Sequence, residues 1–139
     1  MATDAGGPAT GQELKVYRGS PKTVGVTIPD PTGAYSVPGV TADWWAGVIQ
    51  RQQGFGYAAA TIAGSAGAAH KTGLAVTTPS VGTVAVTFVV EPSDIASVQP
   101  AFGYTAQHEI WLMAPGGEPQ PVVIGPLKII DTVRGAASP

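Results

Sequence analysis

Two histidines, nine carboxylates and no cysteine are the groups from which a reactive centre in this 139-residue chain would have to be built. Acyl transfer needs a nucleophile, a base and an orienting group in one place, and His70 and His108 are the conventional bases available. His108 falls in phase with Ala106 and Ile110, which reads as a core-facing histidine. His70 stands beside Lys71 in a Gly/Ala-rich stretch and reads as an exposed loop residue. The carboxylates, scattered from Asp4 to Asp131, have neither the alternation of a calcium loop nor the close pairing of a glycosidase. Asp30 and Asp94 read instead as turn or cap residues. Gly54-Phe55-Gly56 is too short to cradle a phosphate, and no lysine follows at P-loop spacing. Without cysteine there are no disulfides, zinc thiolates or thiol nucleophiles. The expectation is a protein that is not an enzyme, with no catalytic residue, no cofactor and no metal.

The elements that must position any side chain here are short β-strands. Apolar residues alternate with period two in brief runs, and 19 glycines and 13 prolines punctuate them. Seven to eight strands can be read. Val24, Val26 and Ile28 share one face of an early strand, followed by a turn at Pro29-Asp30-Pro31-Thr32-Gly33. Val40, Ala42, Trp44, Ala46 and Val48 form the apolar face of the third strand, so Trp44 points to the core and Trp45 away from it. Glycine density over residues 50–73 opposes a helix despite the alanines, and that stretch reads as a long excursion or arm, with residues 57–62 able to add an edge strand. Leu74 to Thr77 and Thr83 to Val90 follow, the latter with Val84, Val86, Phe88 and Val90 inward. In the strand from Tyr104 to Met113, Trp111 and Glu109 face outward. The last strand, near residues 121–132, loses its phase around Gly125-Pro126, which suggests a bulge or an edge position.

The length suits one domain with one core. The expected division is a flexible tail over 1–12, a β-sandwich over 13–133 containing the 50–73 arm, and a second tail over 134–139. Both tails are too poor in apolar surface to offset the entropy of ordering them. The first tail has neither a basic n-region nor an apolar core, so it does not read as a signal peptide. Charged residues are 12% of the chain and the net charge is -2, which supplies no basic field for nucleic acid. No apolar run reaches the roughly 18 residues of a membrane span. Turn spacing and a core tryptophan on the third strand fit an all-β, immunoglobulin-like Greek-key β-sandwich, with a small barrel as the alternative.

Trp45 and Trp111 fall outward on the third and penultimate strands, which are neighbours in such a sandwich. They are the leading interface candidates, joined by Phe55 and Tyr57, which could fold back over them from the arm. Trp and Tyr are enriched as anchors of protein interfaces.

One further pattern concerns family. Leu14-Lys15-Val16-Tyr17-Arg18-Gly19, then Gly82-Thr83-Val84-Ala85-Val86-Thr87, Pro92-Ser93-Asp94, Gly103-Tyr104, His108-Glu109-Ile110-Trp111-Leu112, Gly117 and Gly125-Pro126-Leu127-Lys128-Ile129 occur in this order. Together they resemble the immunoglobulin-like domain at the N-terminus of phage baseplate upper proteins and related tail-fibre attachment proteins. The resemblance runs over about residues 14–133 and rests on strand patterning and turn glycines. It implies a virion location, other virion structural proteins as partners, and repeated symmetric copies or a homo-oligomer. Tail, baseplate or fibre attachment is the first position it suggests. A capsid decoration or head accessory protein is an alternative, and a carbohydrate- or cell-surface-binding β-sandwich module is another.

Overall fold

The computed structural model describes residues 11–50, 61–62, 69–96, 98 and 104–133. In chain order the elements are β1 (Leu14–Tyr17), β2 (Lys22–Pro29), β3 (Thr41–Gln50), the two-residue β4 (Thr61–Ile62), β5 (Ala69–Ser80) and β6 (Thr83–Val90). A 3-10 turn (Pro92–Ile95), β7 (Tyr104–Met113) and β8 (Gln120–Ile130) complete it. Alternation drives the strands: β6 is Thr-Val-Ala-Val-Thr-Phe-Val-Val, and its Val84, Val86, Phe88 and Val90 are all buried. β-branched and aromatic side chains suit such a pleated, half-buried surface.

The strands pair in the order β1-β8-β7-β3-β5-β6-β2, with β4 added to the end of β3. Every pairing is antiparallel except β1 with β8, which is parallel. The long β5 serves two neighbours. Its residues from Ala69 to Ala75 pair with β3, and those from Val76 to Ser80 pair with β6. The sheet turns over along this strand and curls until it is nearly a barrel, so residues from its two terminal strands share one core. Leu14 and Val16 of β1 and Val24 and Ile28 of β2 meet Trp44, Ile110 and Leu112 there. Trp44 is fully buried, with its ring 5.7 Å from that of Phe88.

One end of the barrel is closed by the 3-10 turn. Asp94 accepts a hydrogen bond from the Glu91 amide (2.7 Å) and an ion-paired contact from Lys71 Nζ (3.0 Å), while Ile95 and Val98 plug the interior. Arg18 fastens this plug. Its guanidinium donates to the Ile95 and Val98 carbonyls and to Asp131 at the end of β8. Asp30 does comparable work at the other end, where its buried carboxylate accepts from the Tyr35 amide and the Ser36 hydroxyl. Burial and that carboxylate both raise the Tyr35 pKa.

Three expectations need correction. Gln12, assigned to the first tail, is tied to the folded sheet just ahead of β1: its amide donates to Ile124 O (3.3 Å), and its main chain lies so close over Gly125 that no Cβ could be accommodated there. β8 is interior, between β1 and β7, and its bulge is at Val122 rather than at Gly125-Pro126, because Ile110 pairs with Val123 and Trp111 with Pro121. The arm expected over 50–73 gives up both of its ends. Gln50 closes β3, and Ala69 to Gly73 open β5.

Candidate functional site

The outer face where β7, β3 and β5 lie side by side carries a linked set of aromatic and polar side chains. On β3, Asp43 and Trp45 point outward by simple alternation with the buried Ala42, Trp44 and Ala46. On β7, Gln107, Glu109 and Trp111 alternate in the same way with the buried Ala106, His108, Ile110 and Leu112. The register sets Trp45 opposite Glu109 and Asp43 opposite Trp111. Trp45 and Trp111 are therefore diagonal neighbours on one face, a distance that aromatic side chains can span.

β5 reaches this face through a bulge. Between the pairs Ala42 with Leu74 and Trp44 with Lys71, β3 advances two residues and β5 three. Leu74 packs against the core, so an unbroken alternation would turn His70 inward as well. The extra residue reverses the phase: Ala69 is buried, Lys71 joins the plugged end, and His70 comes out opposite Trp45. Gly73 makes the bulge possible, with φ +68, a value that L side chains resist. Its amide points to Asp43 Oδ1 (3.4 Å).

The resulting geometry is specific. The His70 ring stacks on the Trp45 indole, with centroids 3.5 Å apart and planes 12° from parallel. His70 Nε2 is 3.6 Å from Asp43 Oδ2. Glu109 accepts from Trp111 Nε1 on one oxygen and from Gln107 Nε2 on the other, both at 2.8 Å. Trp45 nevertheless remains 41% exposed, and Met113 beyond Trp111 is exposed too. The polar groups hold the aromatic rings in place and are themselves largely occupied. Such a surface suits binding: large rings already fixed in orientation lose little entropy when a partner covers them. Among the described residues, no three His, Asp or Glu side chains converge as metal ligands.

Of the interface candidates, Trp45 and Trp111 are brought together, whereas Phe55 and Tyr57 lie outside the described residues. His70 is the residue that the sequence concealed. It is exposed, as expected, but it belongs to a strand and not to a loop. The available signal was Gly73, whose bulge decides the side on which His70 emerges.

His108, on the opposite face of β7, is buried as its phase implies and lies beside a second feature. The terminal strands β1 and β2 face one another across a seam, where a cleft of about 680 Å³ is lined by residues 12–15, the whole of β2, His108, Val122 and Val123. His108 Nε2 is 2.6 Å from the Gln12 carbonyl oxygen, while Nδ1 is buried without a hydrogen-bond partner. Burial lowers the His108 pKa, opposed by the bond to Gln12 and by the charge of Glu109. The neutral ring is thus favoured, and with Nε2–H donating to Gln12, Nδ1 is an acceptor. Set beside models of protein families and beside curated proteins, the chain matches neither.

Proposed function

We propose that this chain is a non-enzymatic structural protein of a tailed-phage virion, repeated in symmetric copies, which holds other virion proteins through the outer face of β3, β5 and β7. The observation that carries this reading is the diagonal placement of Trp45 and the partly exposed Trp111 on one sheet face whose polar side chains are largely bonded to one another. The same proposal takes the fold to be an immunoglobulin-like Greek-key sandwich. Its support is the grouping of strands. β3, β7 and β8 form one leaf and β5, β6 and β2 the other, the grouping of the C, F, G and D, E, B strands of that fold, with a core tryptophan on the third strand. The order of strand and turn signals noted in the sequence favours tail, baseplate or fibre attachment as the position.

Replacing both Trp45 and Trp111 by serine tests the reading. Removing one anchor from the centre of an interface costs 2 kcal/mol or more, about thirtyfold in affinity, whereas solvated positions shift stability by under about 0.5 kcal/mol. The double variant should still fold cooperatively, losing about 1 kcal/mol or somewhat more with the His70 stack and the Trp111–Glu109 bond, and fail to enter particles. Normal incorporation would remove this face from the assembly. Binding of soluble glycans by the native domain, lost in the variant, would replace the structural role with carbohydrate recognition.

A further inference from the structure

We infer that the seam between β1 and β2 is an acceptor for one extended segment of another polypeptide, bound as an added strand along the free edge of β2. Three independent observations converge on it. First, β1 and β2 are the two ends of the strand order, and among the described residues no pairing joins them, so each offers to the cleft one main-chain edge that no described strand pairs. β2 is eight residues long with no bulge in its pairing to β6, and its one proline is its last residue. It lacks the interior devices by which exposed edges are usually blunted. Second, the cleft is apolar toward the core, where Leu14, Val24, Ile28, Val122 and Val123 line it, and Val26 is only partly buried. Third, His108 is 97% removed from solvent by its 3% exposure, lines the same cleft, and has an acceptor nitrogen without a donor.

These features define the occupant chemically. A small molecule could fill the volume, but a row of alternating N–H and C=O groups is matched along its length only by another extended backbone. An occupant that pairs with both β1 and β2 needs two free edges, and a strand already embedded in a second copy's sheet has at most one. A single free segment does fit. Its inward side chains should be apolar, to pack beside the buried Val24 and Ile28 and cover the partly buried Val26, and a main-chain N–H near His108 would satisfy Nδ1. Lys15 and Lys22 outnumber Glu13 among the charged residues of the lining, so an acidic residue on the segment is favoured.

The test uses the full chain and a blocked peptide of about eight residues, matched to the length of β2, that alternates valine with threonine and ends in aspartate. Amide hydrogen exchange is followed residue by residue. In the free protein, the β2 amides that do not face β6 should exchange about tenfold or more faster than those of the interior strand β3. Millimolar peptide should slow them by a similar factor and shift the His108 Nδ1 resonance, with both effects retained in the Trp45→Ser, Trp111→Ser variant. Lys22→Glu should weaken the peptide about two- to fivefold, the size of an exposed ion pair, and a lysine-ended peptide should reverse that preference. Seam-facing β2 amides already as protected as those of β3 would overturn the inference, as would peptide that leaves them unprotected. Protection that appears only as the free protein dimerises would also overturn it, because the occupant would then be a second copy.

Discussion

The outer face of β3, β5 and β7 and the seam between β1 and β2 each present a histidine, yet their unused binding capacity lies in different atoms. On the outer face the backbones of β3 and β7 are paired on both sides and the polar side chains are bonded to one another, so what remains there is the apolar surface of Trp45, Trp111 and Met113. At the seam the main-chain edges have no partner strand among the described residues, and a buried imidazole nitrogen lacks a donor. A paired sheet recognises by side-chain shape and selects partners by their anchors. An open edge recognises backbone, and accepts any segment that can be extended.

The largest effect should come from beneath the outer face. Trp44→Ala removes a fully buried indole at the centre of the core and should cost about 3–5 kcal/mol in denaturant unfolding. A loss under about 1 kcal/mol would mean that β3 is not the rigid support on which the contrast depends.

A smaller, pH-dependent effect should arise at the seam. Because burial holds the folded-state pKa of His108 below the unfolded value of about 6.5, the unfolded chain binds more protons in the interval between them. The stability from neutral His108 is therefore complete above about pH 6.5 and is lost as pH falls toward the folded value. The thermal midpoint should drop across that interval, and His108→Gln should flatten the drop. An unchanged slope would show that His108 titrates as if in water, contrary to a closed floor of the cleft.

The smallest effect belongs to the stack. His70→Ala should alter stability by no more than about 1 kcal/mol, the scale of a cross-strand aromatic pair, while making tryptophan fluorescence easier to quench with acrylamide. A loss above about 2 kcal/mol would make the outer face part of the structural core and erase the distinction.

The two regions were unequally legible in the sequence. Simple alternation placed Trp44 inward, Trp45 and Trp111 outward, and His108 in the core, because β3 and β7 run without a break through these residues. His70 escaped because one inserted residue inverts the parity of β5, and its glycine lies amid others that read as an irregular loop. The seam was hidden for a different reason. Strand patterning specifies which residues face the core, but the partner of each strand edge depends on pairings between distant segments, such as Leu14 with Leu127. The position of Gln12 illustrates the point, since its role depends on the missing side chain of Gly125.

That distant pairing bears on how the chain folds. β5 and β6 form a local hairpin, whereas β2 must wait for β6 and β1 has no strand to join until β8 exists, and the Arg18–Asp131 bond spans 113 residues of sequence. Among the described strands, β1 is made before the strand it pairs with, and its pairing spans the longest stretch of sequence. Contacts of such long range slow folding and lengthen exposure of unpaired edges. The docking of β1 on β8 is then the pairing expected to form last, and until β6 is in place β2 lacks its partner strand as well.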